Sequence, residues 1–383
     1  MGRHGGIGVL LFDLIGVLAV CGVLAGDQFT REIPEPQTTE AQYTLVAVGD
    51  IQLGRRVGQR IREQGWGYLF ETAKPLTDSA DIVFANLECP AALSGSPYPG
   101  KDPDVTFRAD PTALFSLKKA AFSVVSLANN HSTDYGSAAL QETLEALRLL
   151  DISTCGAGTS EDEAHAPAIK TLGLWSVAIL AYAENLWSVT EAQGAPSGGT
   201  AGVAVIDEDR MVRDIQKAKE RADLVVLSLH WGEEHQGVPT EAQRDLAHRL
   251  VREGAGLIVG HHPHVLQGVE FFQGVPILYS LGNFVFDMIS PRTYDSALAR
   301  ISLRFSETTI EGKVHRSVKI PRLELVPILI DRQTYAPRVA EGKDRERILE
   351  LLGNRCAVLG KRSVVTDRGT LVISADAPGE PET

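Results

Sequence analysis

Five short apolar runs in this chain each stop on residues able to bind a metal ion, and that repeated ending constrains the fold more than any other feature. Residues 43–48 run into Gly49-Asp50, 81–85 into Asn86-Leu87-Glu88, and 122–127 into Ala128-Asn129-Asn130-His131. Further on, 224–229 run into His230-Trp231-Gly232 and 256–259 into Gly260-His261-His262-Pro263-His264. Each run is too short for a helix and is bounded by turn residues, so each reads as a buried strand. In a sheet of parallel strands, residues just past the carboxyl ends converge on one crevice, however far apart they lie in sequence. An α/β fold is therefore expected, with Asp50, Glu88, Asn130, His131, His230, His262 and His264 gathered at one end of it.

A lone histidine after a strand is more often a hydrogen-bonded structural residue than a ligand, and His165, His248 and His315 are read that way. The strand-end set differs because imidazole, carboxylate and amide oxygen occur together. That mixture suits Mn, Fe or Zn, whereas an all-oxygen cage suits Mg or Ca and a thiolate set suits structural Zn. No Cys-x-x-Cys pair is present. Two ions held roughly 3.5 to 4 Å apart clamp an attacking hydroxide and a leaving oxygen, and such sites use a bridging carboxylate with several His and amide ligands. Metal-assisted hydrolysis is the chemistry expected. His262 and His264, one residue apart, are aimable at one ion or two by a turn, a bulge or one strand face. Asn130 beside His131 permits a division of labour, the amide oxygen on metal and the imidazole donating a proton to the leaving group.

At these residues the chain resembles the bacterial capsule-synthesis CapA family, associated with poly-γ-glutamate, within the calcineurin-like metallophosphatase superfamily. The matching segments are Val48-Gly49-Asp50, Ala85-Asn86-Leu87-Glu88, 126–131 with Asp134 and Gly136, His230-Trp231-Gly232-Glu233, 260–265, and Tyr279-Ser280-Leu281-Gly282-Asn283-Phe284. The resemblance implies a metallophosphatase-like four-layer α/β/β/α sandwich and an extracytoplasmic role in making, exporting or processing an anionic polymer. It also implies roles: Asp50 and His264 as first-metal ligands, Glu88 as the bridging carboxylate, Asn130, His230 and His262 as second-metal ligands, and His131 as the acid. Two departures stand out. Gln52 occupies the place of the His in the superfamily's Asp-x-His, and because an amide is a weak ligand the first ion is expected to be loosely held or absent. Asn86-Leu87-Glu88 replaces the usual Gly-Asp-x-x-Asp, giving the bridging carboxylate a longer arm.

The formal charge of −12 argues against nucleic acid and offers no overall attraction for a polyanion, so a polymer site requires local basicity. Arg55, Arg56, Arg60 and Arg62 follow Asp50, and Arg108 precedes the Asn130 strand; an anion-steering rim competes with a solvated helix face as their reading. Arg55, Arg56, Arg108 and, from the last matching segment, Asn283 are the candidate substrate contacts.

Residues 1–26 are different material: Arg3 precedes apolar runs at 7–12 and 14–25, broken only by Asp13. Together they approach the ~20 residues that span a bilayer, although Asp13 costs about 2.5 to 3.5 kcal/mol if held at its centre. An uncleaved anchor with the folded part outside is favoured, and a cleaved signal peptide ending near Val23-Leu24-Ala25 is the competitor. Residues 27–42 read as a linker, 43–335 as the CapA-like domain and 336–383 as a C-terminal extension and tail, disordered from 378. Cys89, Cys155 and Cys356 are scattered and read as buried hydrophobes rather than a disulfide framework. Helices are expected at 138–150 and 240–253, a hairpin at 168–172 and 175–181, a mobile loop at 193–202, antiparallel strands at 297–305 and 323–330, and a last strand at 369–374.

Two function classes follow. One is a metal-dependent hydrolase of a phosphoester or of a bond in an envelope polymer. The other is a non-catalytic assembly or export subunit of a membrane-bound polymer synthase that keeps the fold. Gln52 favours the second, and the Asn130-His131 pair favours the first.

Overall fold

A computed structural model describes residues 37–184 and 201–375. Two sheets dominate it. In the larger, β1 (Gln37–Ile51) pairs in parallel with β2 (Ile82–Leu87), which pairs with β3 (Val124–Ser126) and then β4 (Ser153–Cys155). On the other side of β1 the sheet turns antiparallel through Asp295–Ile310, Arg322–Ile330 and Leu371–Ser374. The smaller sheet centres on Leu224–His230, parallel to both Trp175–Ala183 and Leu257–His261.

Alternation along the strands places these sheets face to face. Leu45 and Ala47 of β1 point one way, into a core shared with Ile179, Val226 and Val259 of the smaller sheet. Val46 and Val48 point the other way, onto Val57 and Ile61 of the helix Arg55–Gln64 and Leu140 and Leu147 of the helix Gly136–Leu149. A third apolar layer joins Leu227 and Ile258 to Met211 and Ile215 of the helix Glu208–Lys219 and to Leu250 of the helix Glu241–Arg252. Three apolar layers separate four structural ones, helix, sheet, sheet, helix, as period-2 strands buried on both faces require. Each leucine so buried contributes about 1.5 to 3 kcal/mol relative to exposure. Thr240 begins its helix with a capping box, its hydroxyl accepting from Gln243 N–H while the Gln243 side chain accepts from Thr240 N–H.

The hairpin Ala168–Leu172 with Trp175–Ala183 and the antiparallel strands after 295 form as their patterns predict. Two boundaries differ. Residues 37–42 belong to β1, not to a linker: Gln37 pairs with Thr309 and Gln42 with Arg304. Their polar composition hides the strand because this ribbon projects beyond the core and has almost no buried face. The C-terminal residues are likewise no appendage. Leu371–Ser374 extends the large sheet, and the helix Gly342–Val358 inserts Ile348, Leu349, Leu352 and Cys356 into the core between the sheets.

Among the described residues no helix is long and apolar enough to cross a membrane. Residues 1–26 and residues 193–200 of the loop expected at 193–202 lie outside the described residues, and Gly202 at its end belongs to a short strand, Gly202–Val203, paired with Ala157–Gly158.

Candidate metal centre

The carboxyl ends of both parallel strand groups open on one side, and the candidate ligands meet there. Asp50 lies beside Asn86 and Asn283 in the large sheet, while His230 lies beside His261 in the small one. Register shifts flank Asp50, the kind of local irregularity that re-aims a side chain at the end of a strand. Two glycines allow the close approach of neighbouring backbone: a Cβ at Gly49 would sit 1.9 Å from the Gly282 carbonyl oxygen, and one at Gly260 1.9 Å from that of Tyr279. His262 and His264 both take positive φ, 96° and 58°, so the turn itself directs their imidazoles. Such backbone costs on the order of 1 kcal/mol or more per residue and persists where surrounding contacts hold it. Here the His262 N–H donates to Asp50 Oδ2 at 3.2 Å, and the His264 ring Nδ1 lies 2.8 Å from Asn283 Oδ1.

At the centre, His264 Nε2 lies 3.6 Å from Glu88 Oε1, and its Nδ1 lies 3.5 Å from Asp50 Oδ2. His131 Nε2 and His230 Nε2 approach the same Glu88 oxygen at 3.9 and 4.0 Å. His230 Nε2 also lies 2.9 Å from Asn130 Oδ1, and the His230 and His262 rings stand 4.7 Å apart. Asp50, Glu88, Asn130, His131, His230, His262 and His264 thus form one cluster.

Charge in this cluster is arranged to receive a cation. Burial drives Glu88 well above the usual carboxylate range, reinforced by the neighbouring charge of Asp50. Burial pushes Asp50 upward too, yet hydrogen bonds and charge from His261 and His264 outweigh it and hold Asp50 well below its ordinary value. Burial holds His230 neutral and depresses His262 to about 3, with other imidazoles adding to both effects. His264 is the exception: burial would lower it, but Glu88 and Asp50 raise it to about 10. Without metal, then, Glu88, His264 and Asp50 hold a proton among them at the place where a cation would sit.

The donor set fits a divalent ion. Glu88 Oε1 and His262 Nδ1 are buried without hydrogen-bond partners among the described residues, and buried acceptors are seldom left so. Ligand atoms of Asp50, Glu88 and His264 all lie within 4.8 Å of one another. Oxygen and imidazole donors without thiolate correspond to Mn, Fe or Zn. Cys89, although next to Glu88, is driven up to about 12 by burial and accepts the Leu53 N–H at 3.3 Å, so it supplies no thiolate.

His131 has its own support. Its Nδ1 lies 2.8 Å from Asp134 Oδ2, which fixes the hydrogen on Nδ1 and turns Nε2 toward Glu88. Phe107 stacks on the ring at 4.0 Å, and Lys101 forms an ion pair with the other Asp134 oxygen. Burial lowers the His131 pKa, and the charge of Asp134 opposes that shift.

A cavity of about 1080 Å³ opens over the cluster, lined by His131, His262 and His264 together with Arg55, Arg56, Lys101, Glu234 and Asp287. Arg55 and Arg56 reach it, but both pair with the buried Asp287, which offsets much of the charge they would offer an anion. Arg108 lies outside the cavity, stacked over Tyr135 with its guanidinium 4.2 Å from the ring centre and turned toward the Leu93 and Ser94 carbonyls. Asn283 is buried beneath His264 and orients that ring, so it stands behind the ligands instead of facing a substrate.

Sequence reasoning passed over several residues. Asn86 Nδ2 faces Asp50 Oδ1 at 2.8 Å, Glu88 Oε2 at 3.3 Å and His230 Nδ1 at 3.3 Å, tying three candidate ligands to one amide. Asn129 in turn donates to Asn86 Oδ1 at 3.0 Å and accepts from the His131 N–H at 3.1 Å. Their places in the motifs were the available signal. Lys101 and Asp287 gave none, since each acts through a partner distant in sequence.

Residues 44–288 match the family model described as bacterial capsule synthesis protein PGA_cap. The chain belongs to that family. Its relatives include the capsule biosynthesis protein CapA of Bacillus anthracis, 33% identical over 349 residues, covering 90% of this chain and 80% of that protein. Another is the PGA biosynthesis protein CapA of Bacillus subtilis, 33% identical over 306 residues and covering 80% and 76% of the two chains. Among solved structures, the calcineurin-like phosphoesterase YfkN from Bacillus subtilis resembles it at a TM-score of 0.43 and 15% identity, over 84% of this chain and 99% of that one. Asp50, Glu88, Asn130, His131, His230, His262 and His264 all lie inside the matched span.

Proposed function

We propose that this protein acts outside the cytoplasm in capsule or poly-γ-glutamate biosynthesis, as a metal-dependent hydrolase of a phosphoester or of a bond in an envelope polymer. The observation that carries the reading is the pairing of a cation-demanding ligand cluster with a separate, carboxylate-supported imidazole, His131, at the same cavity. A scaffold needs the first but has no use for the second. Asp50, Glu88, Asn130, His230, His262 and His264 would hold one or two divalent ions, which polarise the scissile group and lower the pKa of bound water. His131, its Nδ1–H held by Asp134, would present Nε2 to the leaving group and, when protonated on both ring nitrogens, give up the Nε2 proton and be left as the neutral Nδ1–H imidazole. Lys101 holds Asp134 in place through its ion pair. Arg55 and Arg56 line the cavity where an anionic group would enter, their paired charge orienting it more than attracting it.

Gln52 supports a second reading, a non-catalytic accessory subunit of a polymer synthase, because it stands where the superfamily resemblance implies an imidazole ligand of the first metal. Protein purified without chelator and loaded with Mn or Zn separates the two. Hydrolysis of phosphoester or γ-glutamyl substrates, lost on chelation and regained on reloading, is the expected result; folded, metal-loaded protein inert on both substrate classes would count against the hydrolase reading and favour the accessory role. Location is a further part of the proposal, motivated by the apolar residues 7–12 and 14–25 behind Arg3. Full-length protein is expected in the membrane fraction with its folded part protease-accessible from outside, and a form lacking residues 2–26 in the cytoplasm. Full-length protein found soluble in the cytoplasm would refute export.

A further inference from the structure

His264 belongs to two ligand groups. Besides the set with Asp50 and Glu88, ligand atoms of Glu234, His262 and His264 all lie within 4.8 Å of one another. Glu234 follows His230 by four residues, in a loop that turns at Gly232 with φ 83°. That loop is pinned to the histidine turn, since the His235 N–H donates to the Pro263 carbonyl at 2.8 Å. Glu234 therefore reaches the cavity on a fixed stretch of chain, and apart from His235 Nε2 at 3.8 Å no ion-pair partner competes for its carboxylate among the described residues. A second observation lies at the opposite end of the problem. Gln52, two residues beyond Asp50, is fully buried, and neither its Oε1 nor its Nε2 has a hydrogen-bond partner among the described residues. A neutral amide there is a poorer ligand than an imidazole.

We propose that Glu234 is a metal ligand of this centre, supplying from the loop after His230 the donor that Gln52 does not. The inference rests on the metal-dependent reading above and makes it more specific. Exchanging an imidazole for a carboxylate adds a negative charge and a hard oxygen to the set, which shifts preference toward Mn. It also makes the centre depend on a loop that lines the substrate cavity.

Wild-type protein, Glu234→Gln, Gln52→His and the double variant, each stripped with chelator, would be titrated with Mn²⁺ by calorimetry, with the thermal midpoint followed in parallel. Glu234 is exposed, so Glu234→Gln should fold normally. Its Mn²⁺ affinity is expected to fall tenfold or more, while Gln52→His in the double variant should recover most of that loss. Wild-type affinity in Glu234→Gln would overturn the proposal. Weakened binding that Gln52→His fails to recover would keep Glu234 as a ligand and overturn its substitution for residue 52. Wild-type protein that binds no divalent ion would overturn both this ligand and the hydrolase reading.

Discussion

Replacing His264 by Gln is expected to abolish divalent-metal binding and to flatten the alkaline limb of the metal-free protein's stability profile. The sign follows from where the proton sits. In the unfolded chain a histidine titrates near its ordinary value of 6.5, whereas in the fold the charges of Glu88 and Asp50 raise His264 to about 10. Between those values the native state binds a proton that the unfolded state has released, so stability falls as pH rises. His264 contributes fully below pH 6.5 and its contribution is lost by about pH 10. The unfolding free energy of wild-type protein in chelator, from denaturant titrations, should therefore decline across that window by an amount on the order of a few kcal/mol, and His264→Gln should show little of this decline. Metal reverses the dependence, because an ion must displace that proton and binds more tightly as pH rises. At a hundredfold excess over Kd an ion that binds only the native state adds about 2.7 kcal/mol to wild-type stability. His264→Gln should gain nothing from it. Unchanged metal content in the variant would remove His264 from the centre.

His131→Ala should produce the opposite division: folding and metal content nearly intact, turnover lowered by roughly a hundred- to ten-thousand-fold on a substrate with a poor leaving group. Folding should survive because Asp134, the partner left behind, retains the Lys101 ion pair and the Phe107 N–H at 2.7 Å. No buried carboxylate is stranded. The loss should shrink when the leaving group departs without a proton, which single-turnover rates on paired substrates of differing leaving-group pKa would measure. A destabilised variant whose activity falls only with its folded fraction would mark His131 as structural.

Much of this centre was legible because its determinants are local. A short apolar run bounded by turns specifies a strand, and a polar residue at its carboxyl end needs no tertiary information to be placed at a sheet edge. Asp50, Glu88, Asn130, His131, His230, His262 and His264 were found by that rule. The substrate contacts were harder, since a guanidinium's role depends on which carboxylate it meets. Asp287, 232 residues from Arg55, takes up charge that the sequence leaves free, and Arg108 stacks over Tyr135 outside the cavity.

The sequence by itself therefore determined the α/β class, the strand ends and the chemical identity of the donors, all properties of hydrophobic period and side-chain type. Tertiary structure alone decided that Asn86 ties three candidate ligands together, that Asn283 stands behind His264, and that Glu234 overhangs the cavity. It also decided that the helix Gly342–Val358 closes the core between the sheets, although Ile348, Leu352 and Cys356 carry helical spacing. The physical reason is common to all four. Period and propensity act over a few residues, whereas the partner of a buried polar group, or the face against which a helix packs, is fixed only when strands distant in sequence pair and bring their ends together.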